Sequence, residues 1–211
     1  MGNNDIRMVQ HISSDPTAIG QFGLSMVTLV AASQKLGWTN GLGVLVPVAF
    51  FLGGVAQLYA GIMDSKHNKS FGANVFTCFG LFWMTMAIAW MIKSGVFGEV
   101  LAKQYDVKQL GFFFLGYLIF SLFATAASLE ATKQLFIAFI LVDLLLIGLT
   151  LESFGIAAHF AHQMAAWSEL IVSLVCFYGV GGYVINSHLG FVLLPMGKPT
   201  GILRKLNKQQ I

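Results

Sequence analysis

Charged residues are scarce in this sequence. Asp, Glu, Lys and Arg together make up 10% of its 211 residues, whereas a soluble domain carries about a quarter. So few charges cannot cover a water-exposed surface of this size, which excludes a soluble globular protein. The net charge is only +3, and no basic face interleaved with aromatic residues exists. We therefore expect no nucleic-acid partner.

Cysteine and recognisable catalytic motifs are equally scarce. Cys78 and Cys176 both lie in apolar segments without CxxC spacing, so neither a disulfide framework nor a zinc site is predicted. His159 and His162 are three residues apart, but no neighbouring ligands complete a recognisable metal set. A nucleophile elbow, a phosphate loop and a dinucleotide fingerprint are also missing. We expect no enzyme, no cofactor and no metal.

Apolar residues, in contrast, are abundant. They make up 56% of the chain, with 19 Phe, and are accompanied by 23 Gly, a pairing typical of packed membrane helices. A helix needs about 20 residues to cross a bilayer, and polar or Gly-containing links divide the chain into six apolar segments of about that length. These segments are 16–35, 41–63, 71–93, 110–129, 134–152 and 167–190.

The segment pattern predicts an all-α membrane protein with six transmembrane helices. We expect residues 16–197 to form one transmembrane domain of six helices, flanked by tails of residues 1–15 and 198–211. The stretch 155–166 is either an interfacial turn or an extension of a neighbouring helix. Small residues at helical spacing in the second segment, Gly53, Gln57 and Gly61, predict a face buried against other helices.

The distribution of Lys and Arg predicts the orientation in the membrane. Cytoplasmic loops retain an excess of positive charge, and six spans place only Lys35, Lys93, Lys103 and Lys108 opposite the termini. The remaining basic residues, on the side of the termini, are Arg7, Lys66, Lys69, Lys133, Lys198, Arg204, Lys205 and Lys208. We expect a multi-pass protein of the cytoplasmic membrane with both termini in the cytoplasm.

Several polar residues in the apolar segments have two interpretations each. Gln57 either makes an interhelical hydrogen bond or donates to a substrate oxygen. Asn74, Thr77 and Cys78 share a helical face that serves helix packing or lines a pore. Asp15-Pro16 starts the first helix as a cap and first-turn residue. The N–H groups at that helix start would also attract a carboxylate, although Asp15 itself repels one.

Asp143 stands in the middle of the fifth apolar segment, where a carboxylate costs about 3 kcal/mol on insertion scales. It either accepts protons or lines the pathway, or it holds helices or subunits together. Neighbouring residues on a helix point about 100° apart. If Val142 faces a pore, Asp143 faces a helix neighbour or an adjacent subunit, and we expect it to be hydrogen-bonded or protonated.

The segments 53–61 (GGVAQLYAG) and 71–83 (FGANVFTCFGLFW) resemble those of the acetate uptake transporter family, the succinate–acetate permeases. The resemblance continues through Leu110-Gly111, Ala166-Trp167 and the segment 192–197 (VLLPMG), so it covers residues 15–197. It implies six helices and a pore in each protomer, a homo-hexamer, and transport of acetate and related short carboxylates. In some members that transport is coupled to protons.

The resemblance also assigns residues by position. The hydrophobic constriction of the family falls on Leu24, Phe79 and Val142. The polar substrate pathway includes Thr28, Gln57, Asn74, Thr77 and Ser128.

Two departures from the family pattern bear on the substrate. The family motif Asn-Pro-Ala-Pro-Leu-Gly-Leu at the first helix is DPTAIGQ here, so the entrance motif consists of Asp15, Pro16 and Gly20. Leu24 and Phe79 stand where the family has an aromatic pair with a phenol, and Val142 replaces a larger leucine. Both changes at the constriction predict a wider pore.

The predicted function is transport of acetate and related short carboxylates, including succinate, by channel-like permeation or proton symport. The pathway offers no buried Lys or Arg, so amides, hydroxyls and helix N-termini must stabilise the anion. The alternative is a channel for a small neutral solute such as urea or ammonia, since a narrow apolar ring also passes neutral molecules. A third hypothesis is a membrane scaffold or sensor without transport.

Overall fold

The computed structural model describes residues 14–203 and 205, and this part of the chain is helical without strands. Its seven helices are, in order, α1 (Thr17–Lys35), α2 (Leu45–Lys66), α3 (Ser70–Lys93), α4 (Glu99–Lys103), α5 (Val107–Ser128), α6 (Lys133–Ser153) and α7 (Ala158–Leu189). The predicted all-α class is therefore confirmed for the described residues. Most of the predicted tails, including Arg7, Arg204 and Lys208, lies outside the described residues.

Five helices of the described chain, α2, α3, α5, α6 and α7, are long and apolar enough to cross a membrane. The remaining long helix, α1, has 19 residues but carries more polar side chains, among them Gln21, Ser25 and Thr28. All three are buried inside the protomer, so the polarity of α1 is directed at other helices. A count of six spans stays a prediction.

The helix boundaries agree with the apolar segments to within a few residues, except for two elements. α7 begins at Ala158, nine residues before the predicted segment 167–190. The polar His159 and His162 hide this extension from a hydropathy pattern, and a turn with positive φ at Gly155 and Ala157 precedes it. The short helix α4, only 5 residues long, was not predicted.

α2 contains a π-helical stretch, Ala49–Ala56, between two α-helical parts. Such wide turns are rare and are frequent at functional sites. The π-helical stretch ends directly before Gln57, whose side chain is 1% exposed. The predicted face of Gly53, Gln57 and Gly61 is buried, as expected.

The helices pack through close approaches of backbone. α1 and α6 both pack along α7, α5 packs on α6, and α3 packs on α2. Gly61 of α2 is so close to α3 that a Cβ at this position would lie 2.8 Å from the backbone nitrogen of Thr77. Gly148 of α6 similarly meets the backbone of α7, since its Cβ would lie 2.7 Å from the carbonyl oxygen of Ala161. These contacts leave an open space between α1, α2, α3 and α6.

Candidate functional site

A cavity of about 690 Å³ lies between the helices of the protomer. Four helices contribute one stripe of side chains each, in which single residues or adjacent pairs recur every three, four or seven positions. α1 contributes Thr17, Gln21, Leu24 and Thr28; α2 contributes Gln57 and Asp64; α3 contributes Phe71, Gly72, Val75, Phe76, Phe79, Phe82 and Trp83; α6 contributes Leu135, Ala138, Phe139, Val142, Leu145 and Leu146. This spacing places each stripe on one helix face.

One end of the cavity reaches charged residues at helix ends, and we call it the mouth. Asp15, Asp64, Lys69, Glu130 and Tyr183 belong to it. Lys69 donates to Asp15 at 2.5 Å, and both side chains are about half exposed, at 45% and 48%. The mouth is therefore polar and accessible, with charges of both signs.

α1 begins at Thr17 with Pro16 as its N-cap, one position later than the predicted start with Asp15 as the cap. The Asp15 side chain still contacts the start of the helix at the mouth. Its Oδ1 accepts from the backbone N–H of Thr17 at 2.9 Å and also from the hydroxyl of Thr17. Partial burial opposes its ionisation, but hydrogen bonds from Lys69 and Thr17 outweigh this effect and hold the pKa of Asp15 below its ordinary value. At pH values above the ordinary pKa range of carboxyl groups, the Asp15–Lys69 pair therefore stabilises the mouth. This stabilisation is lost as the pH falls through the lowered pKa of Asp15.

The other two residues of the entrance motif lie behind the cavity wall. Pro16 and Gly20 are buried and do not line the cavity. Gly20 packs against the ring of Phe76, since a Cβ at this position would lie 2.5 Å from that ring. Phe76 itself lines the cavity, so Gly20 makes room for part of the wall.

The structure brings together the three apolar residues predicted as a constriction. Leu24, Phe79 and Val142, from three different helices, all line the cavity. Phe79 and Val142 are each 7% exposed. The ring centroids of Tyr117 and Phe120 of α5 lie 5.9 Å from that of Phe79, so its position is fixed from behind.

Two residues that line the cavity between α1, α2 and α3 each carry a buried polar atom without a partner among the described residues. Gln57 Nε2 and Trp83 Nε1 are buried and have no hydrogen-bond partner among the described residues, and both residues line the cavity. Thr28 also lines it, with its hydroxyl donating to the Leu24 carbonyl at 2.7 Å. Two free N–H donors are what a carboxylate oxygen requires in place of water.

Sequence reasoning did not assign Gln21, Asp64, Lys69 or Trp83 to the site, although all four line the cavity. Gln21 is 1% exposed, and its amide nitrogen has no partner among the described residues. A periodic signal was present for two of them. Gln21 precedes Leu24 by three positions, and Asp64 follows Gln57 by seven, so each pair shares a helix face.

The structure does not bring Asn74, Thr77 and Ser128 to the cavity. Asn74 is exposed on the outside of the protomer, and Thr77 packs against Gly61 of α2. On one helix these two positions lie about 140° and 160° from Phe79, so they cannot share its face. Ser128 is fully buried, and its hydroxyl donates to the Thr125 carbonyl at 2.7 Å. Their role in a pathway stays a prediction.

Asp143 faces a neighbouring helix, as the sequence predicts. It is 8% exposed, and its two oxygens accept from hydroxyls of α5, from Ser121 at 2.5 Å and from Thr125 at 2.7 Å. It is not among the cavity-lining residues, whereas the preceding Val142 is. The expectation of a hydrogen-bonded Asp143 against another helix is confirmed.

A second polar cluster lies at the end of α1, on the opposite side from its start at the mouth. Lys35 donates to the buried Glu169 of α7 at 2.7 Å. His162 connects the Lys35 carbonyl, at 3.0 Å, to Glu152 of α6, at 2.9 Å. No group of three or more His, Cys, Asp or Glu that could hold a metal occurs in the described part of the chain.

Comparison with known proteins identifies relatives over nearly the whole chain. Residues 3–198 match the model of the GPR1/FUN34/yaaH family. The chain is 28% identical over 186 residues to the succinate-acetate/proton symporter SatP of Escherichia coli strain K12, covering 88% of this chain and 96% of the relative. It is 27% identical over 150 residues to ammonia transport outward protein 2 of Saccharomyces cerevisiae, covering 68% and 52% of the two chains.

A solved structure shares the fold. It is described as that of the bacterial acetate channel SatP and superposes with a TM-score of 0.81 at 25% sequence identity. The match covers 88% of this chain and 100% of the other.

Proposed function

The chain belongs to the GPR1/FUN34/yaaH family, and from this premise we propose that it transports acetate and related short carboxylates across a membrane. The observation that carries the proposal is the cavity of about 690 Å³, in which an apolar ring lies beside two unpartnered N–H donors. Relatives are named for the same substrates, as a succinate-acetate/proton symporter and an acetate channel. These relatives are transporters, which argues against an enzyme.

The site chemistry suits a small anion that must bind and leave again. Simple carboxylic acids titrate in the range of Asp and Glu, roughly pH 4 to 5, so the substrate is an anion at neutral pH. The N–H groups of Gln57 and Trp83, free of other partners, offer it hydrogen bonds without a full positive charge. Such neutral donors bind weakly enough for rapid release.

The apolar ring supplies selectivity in this proposal. Leu24, Phe79 and Val142 would form the narrowest point, where a ring of apolar side chains controls passage by excluding water. Polar residues lie on both sides of this ring along the cavity, Gln21 and Asp15 towards the mouth and Thr28 further in. A carboxylate would cross the ring between two places that can hydrogen-bond to it.

We also propose six spans, with α1 as the sixth, and cytoplasmic termini in a multi-pass plasma-membrane protein. Supporting this orientation, the start of α1, the end of α2 and the late α7 residue Tyr183 meet at the mouth. The mouth would then open to the cytoplasm. Assembly as a homo-hexamer follows from the family resemblance, and exposed apolar residues such as Phe51, Phe112 and Phe123 would face lipid or neighbouring protomers.

A second candidate function is conduction of a small neutral solute such as ammonia. It is favoured by one relative, named an ammonia transport outward protein, and by the apolar ring. The unpartnered donors of Gln57 and Trp83 favour the carboxylate. A carboxylate accepts hydrogen bonds through two oxygens, whereas ammonia accepts through a single lone pair and needs fewer donors.

The test is uptake of labelled acetate into proteoliposomes, compared with protein-free vesicles that report passive diffusion of the acid. We expect protein-dependent uptake that is inhibited by excess succinate and not by excess urea. Uptake equal to that of protein-free vesicles would contradict transport. Inhibition by ammonium or urea, with no effect of succinate, would favour the neutral-solute channel instead.

A further inference from the structure

Three carboxylates of the long helices are buried in the described chain, and they differ in their surroundings. Asp64 is 2% exposed, Asp143 8% and Glu169 1%. A buried carboxylate in a membrane protein is costly unless it is partnered, and an unpartnered one points to function. The three differ in the groups that compensate the carboxylate charge and in whether the side chain lines the cavity.

Asp143 and Glu169 are both compensated and both lie away from the cavity. Asp143 accepts two hydroxyl hydrogen bonds from α5. Glu169 forms an ion pair with Lys35 at 2.7 Å. Neither lines the cavity, so neither can contact a carboxylate inside it.

Asp64 differs on both counts. Its side chain lines the cavity, and its Oδ1 is buried without a hydrogen-bond partner among the described residues. It is held by packing, because Gly72 of α3 lies so close that a side chain there would occupy the position of Oδ2. The charged and titratable groups that face it are Lys69 and His67 in the link between α2 and α3, Asp15 before α1, and Tyr183 of α7.

The position of Asp64 also couples it to the substrate site. Asp64 follows Gln57 by seven residues on α2, and both line the cavity, which places them about 10 Å apart along the helix. An ionised Asp64 would weaken binding of an anion at Gln57 by on the order of tenfold in the protein interior. A protonated Asp64 removes this repulsion, so proton binding and anion binding favour each other.

We propose that Asp64 is the residue that binds the proton transported together with each carboxylate. When Asp64 is protonated the cavity accepts the anion, and when Asp64 loses its proton to the mouth side the affinity of the cavity for the anion falls. One proton thus crosses with each carboxylate, and for a monocarboxylate such as acetate the pair is neutral. This inference rests on the proposed function. It assigns the coupling of proton and carboxylate to Asp64 and not to Asp143.

The test uses the full-length chain in proteoliposomes with labelled succinate, because a dicarboxylate diffuses passively more slowly than acetate. Two rates are measured: exchange without a gradient and accumulation driven by an acidified exterior. We expect Asp64→Asn to retain exchange but to lose accumulation above the external concentration. Asp64→Glu should restore accumulation, and Asp143→Asn, the matched control, should keep both rates.

The outcomes separate this inference from the proposed function. Absence of succinate exchange in the wild type, together with absence of protein-dependent acetate uptake, would overturn the proposed function. Wild-type exchange without any response to the pH gradient, or Asp64→Asn accumulating as well as wild type, would overturn only the role of Asp64. Loss of gradient-driven accumulation in Asp143→Asn, with Asp64→Asn unaffected, would transfer that role to Asp143.

A second measurement on the wild type does not depend on folding of a variant. Dicyclohexylcarbodiimide, an apolar reagent, modifies protonated carboxyl groups in membranes. Mass spectrometry should find Asp64 modified, with block of succinate accumulation and with faster modification at lower pH. Modification of Asp143 with Asp64 untouched would contradict the proposal.

Discussion

At the scale of single residues, the cavity combines apolar walls with a few polar atoms that lack partners. A buried donor left without a partner costs about 1–3 kcal/mol, and the N–H groups of Gln57 and Trp83 have no partner among the described residues. A carboxylate that accepts hydrogen bonds from them would remove this cost and so favour binding.

Trp83→Phe tests this role of the indole. The ring is largely retained while Nε1–H is removed, and a hydrogen bond to a charged group contributes about 1.5–3 kcal/mol. We expect the KM for acetate uptake to rise by on the order of tenfold. Trp90→Phe is the matched control, since Trp90 belongs to the same helix but does not line the cavity. Equal KM values for both variants would exclude a donor role for Trp83.

Val142→Leu tests the width of the apolar ring. Val142 is 7% exposed and lines the cavity, so an added methylene should narrow the passage between α1, α3 and α6. One methylene in a tight apolar site changes discrimination by on the order of tenfold. We expect the ratio of succinate to acetate uptake to fall by about this factor. An unchanged ratio would mean that the ring does not select by size.

At the scale of helices, packing of backbones decides which residues reach the cavity. The apolar segments are evident in the sequence, so the bounds of α1, α2, α3, α5 and α6 could be predicted to within a few residues. The sequence does not show which face of each helix is directed towards the cavity. Asn74 and Thr77 were assigned to the pathway from resemblance, but helical geometry places them on other faces of α3 than Phe79. The Thr77 face packs against Gly61 of α2.

Some contacts could not be predicted, because they depend on which helices are neighbours. The sequence shows that Gln21 and Asp64 are polar, but it does not show that they lie near each other. Only the packing of α1 and α2 around α3 makes both part of one cavity with Trp83. Conversely, the direction of Asp143 followed from Val142 by helical geometry alone, although its partners Ser121 and Thr125 required the structure.

Gly61→Ala tests the close crossing of α2 and α3. The added Cβ would lie 2.8 Å from the Thr77 nitrogen and 3.0 Å from the Ala73 carbonyl oxygen, and backbone atoms cannot move aside cheaply. We expect the free energy of unfolding to fall by about 1–3 kcal/mol, as for overpacked cores. This loss would be measured as a lower melting temperature in detergent.

Gly116→Ala is the control for that substitution. Nothing lies within 4 Å of a Cβ at Gly116 in α5, and alanine favours a helix over glycine by about 0.5–1 kcal/mol. Its melting temperature should be equal to or above that of the wild type. A Gly61→Ala variant as stable as Gly116→Ala would show that the two helices can separate without cost.

At the scale of the whole molecule, the helices form an apolar bundle whose polar groups turn inwards. Ser25, Thr28, Gln57 and Ser121 are at most 1% exposed, whereas large apolar side chains such as Phe123, at 74%, cover the outside. This arrangement is the reverse of a soluble domain and explains why charge is so scarce in the sequence. The charged residues collect at the mouth and at the Lys35–Glu169 end of the bundle.

We propose that substrate passes through this protomer between Leu24, Phe79 and Val142. The most direct measurement uses Leu24→Cys in a background with Cys78→Ala and Cys176→Ala, because Cys176 also lines the cavity. A polar methanethiosulfonate reagent is applied to proteoliposomes while labelled acetate uptake and the extent of modification are followed. We predict that uptake falls in proportion to modification and that acetate slows the modification. Complete modification of Leu24→Cys with undiminished uptake would show that substrate does not pass between these three residues.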